Sequence, residues 1–207
     1  FIDNTVVLER KGVAQFRLEV SGVGAHAGNN PEDGRSAIHE IVKKVEDIYA
    51  LEDKAEGTTV NVGVIGGGTA ANAVAESAFC VIDIRFKCEA GYERVARGLQ
   101  AIAEKSHIDG TRAMLTRRCK FSAMERLPES EALLERVNAI AVKHDFPRLR
   151  GKAVGGGSDS AYLTRAGVPV VCALGVKGEF NHTVREYALE ASLTERAKLL
   201  AALLEEL

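Results

Sequence analysis

Four places along this 207-residue chain carry side chains whose type and setting could do chemistry. The first is His26, inside a run of small residues, GAHAG, directly after a stretch with strand character. Glycines on both sides let the backbone bring an imidazole close to another surface. An exposed loop histidine fits the same spacing. The second is GGGSD at residues 155–159, three glycines leading into a helix start. Free N–H groups there suit a carboxylate or an oxyanion. It is neither G-x-G-x-x-G nor a phosphate loop with its lysine, and a turn followed by an N-cap explains it equally well. The third is His182, in a loop after an apolar run, where an open α/β sheet places its sites. Zinc would suit such a histidine, but zinc needs three or four protein ligands. The fourth is the pair Asn72 and Arg85, one in a Gly-rich break and the other alternating with apolar residues. An arginine so placed could hold a carboxylate through two parallel hydrogen bonds, or simply lie on the polar face of a sheet.

The elements that must position these residues follow from periodicity. Residues 12–22 alternate apolar and polar between glycines and predict a strand. Residues 36–51 predict a helix with Ile38, Ile41, Val42, Val45, Ile48 and Tyr49 on one face. TTVNVGVI and FCVIDIRF predict two strands, YERVARGLQAIAEKS a second amphipathic helix, and RAMLTRRCKF a fourth strand. The order β-α-β-β-α-β over residues 12–121 is that of a ferredoxin-like domain, a four-stranded antiparallel sheet with both helices on one face.

Residues 122–207 read differently. Helices are expected near 130–145, 158–167 and 190–207, the last with Leu193, Ala197, Leu200, Leu203 and Leu204 on one side. VPVVCALG is almost wholly apolar, as in a buried parallel strand. One or two strands cannot satisfy each other's edges, so this part is expected to complete a sheet whose other strands lie elsewhere. The fold class is therefore α/β, with a ferredoxin-like α+β domain over 12–121 set between residues 1–11 and 122–207.

The bulk numbers exclude several partners. With 27 basic and 29 acidic side chains the net charge is −2, which favours neither nucleic acid nor an anionic membrane. No apolar run approaches the roughly 20 residues needed to span a bilayer. The first residues are no signal peptide. The four cysteines have no C-x-x-C spacing and suit reduced thiols in the cytoplasm.

Five stretches taken in order, SGVGAHAGNNPEDGRSAI, NVGVIGGGTAANAV, IDIRF, GGGSDSAY and NHTVREY, resemble the zinc-dependent aminoacylase/carboxypeptidase family, in its glutamate carboxypeptidase-like form. The resemblance spans essentially the whole chain. It implies that residues 12–121 are a dimerisation lid inserted in a catalytic α/β domain. It implies that His26 reaches the partner subunit's active site and donates to the oxyanion, and that Asn72 and Arg85 bind the substrate's carboxylate and neighbouring groups. Gly156, Gly157 and Ser158 would line the substrate pocket. His182, four residues before Glu186, would be the last metal ligand.

The same resemblance implies two zinc ions in the intact enzyme, held mostly by residues expected upstream of residue 1. Asp3, Glu9 and Glu19 do not reproduce their pattern. The expectation is thus a fragment of a homodimeric, cytoplasmic metal-dependent hydrolase acting on the amide of a C-terminal or N-acyl amino acid, inactive alone. The alternative is a non-catalytic dimerisation and substrate-clamp module.

Overall fold

A computed structural model describes residues 3–207. In chain order these form β1 (Thr5–Arg10), β2 (Gly12–Ser21), β3 (Ala25–His26), α1 (Ala37–Tyr49), β4 (Thr59–Gly67), β5 (Ala73–Val74), β6 (Ser77–Phe86) and α2 (Glu89–Glu104). There follow β7 (Arg112–Phe121), α3 (Pro128–Lys143), β8 (Arg150–Val154), α4 (Ser160–Arg165), β9 (Gly178–Glu179), β10 (Tyr187–Ala188) and α5 (Glu190–Glu206). Two compact units result. One is Gly12–Ala123; the other joins the described residues up to Lys11 with Met124–Leu207.

In the Gly12–Ala123 unit, β2, β4, β6 and β7 form one antiparallel sheet in the order β4-β6-β2-β7. With the intervening helices this is the ferredoxin-like arrangement that the element order predicts. Alternation does the work: Ala14, Phe16, Leu18 and Val20 of β2 and Ala78, Cys80, Ile82, Ile84 and Phe86 of β6 are buried on one face. Tyr92, Val95, Leu99 and Ala103 of α2, spaced at three and four residues, close over that face with Ile41 and Ile48 of α1. A bulge in β7 between the partners of Gln15 and Phe16 sets Arg117, not Arg118, opposite Phe16.

α1 departs from the expected face. Ala37, Ile41 and Ile48 are buried, but Ile38, Val42 and Tyr49 are 40%, 45% and 44% exposed. The apolar arc is wider than one contact can cover. Beside it, Glu40 and Lys44 turn inward as a fully buried i,i+4 ion pair at 3.1 Å. Glu40 accepts the N–H groups of His107 (2.9 Å) and Ile108 (2.6 Å), and Lys44 Nζ donates to the carbonyls of Ile102 and Lys105. Every polar group of the pair is thus answered, which is what its burial requires.

In the other unit, β1 and β8 pair in parallel, Thr5 opposite Arg150 and Arg10 opposite Val154. The sequence reading leaves β1 unassigned, yet Val6, Val7 and Leu8 are fully buried. α3 and α5 pack with the sheet around Val6, Leu8, Leu134, Val137, Leu149, Leu199 and Leu203. Two expectations fail here. VPVVCALG is not a buried parallel strand: it is irregular and partly exposed, and Cys172 makes a lone antiparallel bridge to Val7. The α5 stripe is also rotated. Ser192, Arg196, Leu199, Ala202 and Leu203 are buried, while Leu193, Leu200 and Leu204 are exposed. Leu200 and Leu204 border an apolar groove of about 270 Å³ between α3 and α5.

Candidate functional site

The first cluster lies at one end of the Gly12–Ala123 unit. Beyond the sheet, β3 and β5 continue as a two-stranded ribbon with His26 opposite Ala73. The Ala27 N–H donates to the Asn72 carbonyl at 2.9 Å, so His26 and Asn72 are neighbours across this ribbon. Its entry depends on Gly22, where a Cβ would sit 1.9 Å from the Arg35 carbonyl oxygen. Only glycine lets the chain pass there. His26 and Asn72 are both exposed.

The imidazole of His26 has a fixed polarity. Its Nδ1 accepts the N–H groups of Gly28 and Asn29, each at 3.1 Å. A nitrogen that accepts two hydrogen bonds carries no proton, so in neutral His26 the proton is on Nε2. Among the described residues nothing bonds Nε2. The loop therefore presents an N–H donor outward, the polarity needed to meet an oxyanion.

Arg85 does not join this cluster. It lies eight residue steps along β6 from Ser77, about 26 Å at the usual strand rise. Its Nε donates to Asp83 at 2.7 Å and Nη2 to the same carboxylate at 3.3 Å. Asn72 lies by the β3/β5 ribbon and Arg85 near the far end of β6.

The second cluster is in the β1/β8 unit, at the C-terminal ends of two parallel strands, where such sheets place ligands. β8 leads into Gly155, Gly156 and Gly157. A Cβ at Gly155 or Gly157 would meet nothing within 4 Å, and one at Gly156 only Arg10 Nη1 at 3.9 Å. The loop is open. Ser158, not Asp159, makes the turn into α4, its hydroxyl accepting the Ser160 N–H at 3.3 Å.

Arg10, at the end of β1, reaches this loop and escapes notice in the sequence. Its Nη1 donates to the Gly156 carbonyl at 3.0 Å, and its Nη2 lies 3.5 Å from the Cys172 sulfur. Ser160 Oγ donates to the same sulfur at 3.2 Å. Burial pushes the Cys172 thiol up, but the hydrogen bonds from Ser160, Arg10 and Ser158 and the Arg10 charge outweigh it and hold the pKa below the ordinary thiol value.

A cavity of about 820 Å³ opens beside these groups, bordered by Arg10, Ala173, Phe180, Asn181, Glu186 and Tyr187. His182 sits on the same hairpin loop at φ +66, with its N–H 3.4 Å from Glu186 Oε2. Ala173 and Phe180 also hold positive φ, at +66 and +61. Such backbone concentrates at binding sites. The side chains do not fit a two-metal centre: among the described residues no three of His, Cys, Asp and Glu converge to hold an ion. On this hairpin the groups of ligand type are Glu179, His182 and Glu186.

Residues 8–111 match the peptidase dimerisation domain of the M20 family. Over 205 residues the chain is 26% identical to carboxypeptidase G2 of Pseudomonas sp. (strain RS-16), covering 97% of this chain and 48% of that protein. It is 29% identical over 194 residues to YqjE, an uncharacterised protein of Bacillus subtilis (strain 168), covering 93% of this chain and 51% of the relative. The crystal structure of aminopeptidase PepT from Bacillus cereus ATCC 10987 superposes with a TM-score of 0.72 at 25% identity, over 98% of this chain and 54% of that one. The chain thus spans about half the length of the curated relatives it matches. The polarised histidine ribbon, the ferredoxin-like sheet and these likenesses agree: the chain belongs to the M20 peptidases and carries their dimerisation domain.

Proposed function

We propose that this chain supplies the lid and the C-terminal catalytic section of a metal-dependent hydrolase that cleaves the amide bond of a C-terminal or N-acyl amino acid. Carboxypeptidase G2 is a named relative, and the name supports that substrate class by analogy. The observation that carries the reading is the His26 ribbon. An imidazole tied at Nδ1 by two backbone N–H groups, with Nε2–H facing outward beside Asn72, is preorganised to stabilise the negative charge that develops when an amide carbonyl is attacked. Across a homodimer it would serve the partner subunit's site, with Asn72 binding the substrate beside it. Gly156, Gly157 and Ser158 would line the pocket, and His182 would contribute one ligand to a zinc centre whose remaining ligands come from outside this chain. In this reading the chain is inactive alone, and the enzyme works in the cytoplasm.

Dimerisation would use the surface that α1 and β4 leave uncovered. Ile38, Val42 and Tyr49 stand exposed on α1, and Val64 and Ile65 are 51% and 55% exposed on β4, an edge strand of the sheet. An apolar helix face beside an unpaired strand edge is the kind of surface that a second copy covers.

A second reading, a non-catalytic dimerisation and clamp module, is favoured by the lack of a metal cluster among the described residues. Activity of the gene's full-length product on N-acyl glutamates separates the two. On the first reading it hydrolyses them, and His26→Ala lowers kcat about 100- to 1000-fold. Unchanged turnover in His26→Ala contradicts the assigned role, and no turnover in the full-length product favours the module.

A further inference from the structure

Arg196, on α5, is a buried cation, only 4% exposed. Its Nη2 donates to Asn4 Oδ1 at 3.1 Å, and its Nε is fully buried without a hydrogen-bond partner. Among the described residues no carboxylate pairs with it. The acidic residues next to this contact in the chain are engaged elsewhere. Glu195 holds Lys177 at 2.9 Å, and Asp3 accepts the Thr5 hydroxyl at 2.6 Å. Burial lowers the Arg196 pKa, and the Glu195 charge does not offset that loss. A guanidinium nevertheless keeps its charge in a protein and presents five donors, so one amide oxygen leaves it largely unanswered. Folds pair or neutralise a charge buried in this way.

The setting shows what would pair it. Arg196 begins a stripe on α5 that continues through Leu200, Leu203, Leu204 and Leu207, at i+4, i+7, i+8 and i+11. All four leucines line the apolar groove of about 270 Å³. Leu204 and Leu207 are 88% and 50% exposed. The stripe is thus cationic at one end and uncovered along the rest. It meets β1 at Asn4, and Thr5 stands five residue steps from Arg10, about 17 Å at the usual strand rise. The glycine loop lies at the other end of that strand. A soluble anion would answer the charge and leave the leucines bare, whereas a polypeptide answers both. The curated relatives are about twice as long as this chain.

We propose that Arg196 and the leucine stripe form a docking surface for a polypeptide segment that the full-length product carries outside these 207 residues, apolar along its length and with one aspartate or glutamate that pairs with Arg196. The inference goes beyond the functional reading above, because it rests on this charge and on the length of the relatives and not on amide hydrolysis.

Arg196→Met tests it by a change of sign in the thermal midpoint, followed by circular dichroism. Methionine keeps an apolar stem and removes the charge. In the 207-residue chain the charge is unpaired, so the substitution should raise the midpoint by about 2–4 °C. In the full-length product it breaks an ion pair and should lower the midpoint. Arg196→Lys, which keeps a charge, should lower the full-length midpoint less, and it carries the test alone where full-length Arg196→Met does not fold. A midpoint raised in both proteins, a midpoint lowered in both, or a full-length Arg196→Lys as stable as the native product overturns the inference. Acetate exchanged for chloride at constant ionic strength should leave the native 207-residue chain unchanged. A rise that is lost in Arg196→Met would assign the site to a soluble carboxylate and overturn the inference. A native midpoint that climbs with chain concentration, with the climb lost in Arg196→Met, would assign it to a second copy and overturn it equally.

Discussion

The loop sets the polarity of the His26 ring, the Gly28 and Asn29 N–H groups holding Nδ1 as an acceptor. Glu40 and Lys44 show the same economy in the core, with a buried charge answered by backbone on every side. Burial pushes the Glu40 carboxyl up, yet the N–H groups of His107 and Ile108 and the Lys44 ammonium carry it below its ordinary value of 4.5. A folded-state pKa lowered in this way stabilises the fold fully above 4.5 and loses that contribution as pH falls through the folded value. Lys44→Met leaves the carboxylate without its counter-charge and should cost about 3–5 kcal/mol in urea unfolding at neutral pH. Glu40→Gln should also destabilise, and its stability should fall less steeply than the native chain's in acid. An unfolding midpoint unchanged in both variants would show that the pair does not hold α1 to the chain after α2. The sequence marked His26 and Asn72 separately; that they are neighbours rests on the β3/β5 ribbon, two residues on each strand and too short to show a period. The sequence paired Asn72 with Arg85 by motif alone, and such a pairing does not show how far the ten-residue β6 carries Arg85 from Ser77. Arg10 carried no signal: one charge at the end of TVVLER looks like any strand end, and its value comes from the loop after β8, far away in sequence.

At the scale of elements, period two was the reliable guide. β2 and β6 alternate strictly because one face meets helices and the other does not, so their inward residues could be read directly. Helix periodicity was less informative where the apolar arc is broad. α1 and α5 each carry more apolar residues than one contact can bury, and the sequence cannot say which flank turns inward. On α1 the flank left outside, Ile38, Val42 and Tyr49, belongs to the domain matched as a peptidase dimerisation domain. Val42→Glu should therefore convert a dimer to a monomer by analytical ultracentrifugation without lowering the unfolding midpoint. A native chain that is monomeric at high concentration, or a Val42→Glu dimer as tight as the native one, would remove α1 from the interface. The irregular path of VPVVCALG has a related cause. An apolar run becomes a strand only where a neighbour offers a ladder, and here Val7 gives Cys172 a single bridge.

At the scale of the whole molecule, two units divide distinct chemical tasks. One carries the outward N–H of His26, and the other carries the Arg10 cavity and the glycine loop. Neither gathers the ligands of a metal centre among its described residues. Binding and orientation without an electrophile is the central claim made for this chain, and metal stoichiometry tests it most directly. The purified 207-residue chain, equilibrated with micromolar zinc and analysed by atomic emission after gel filtration, is predicted to retain less than one ion per chain. Two ions per chain, held through gel filtration, would contradict it.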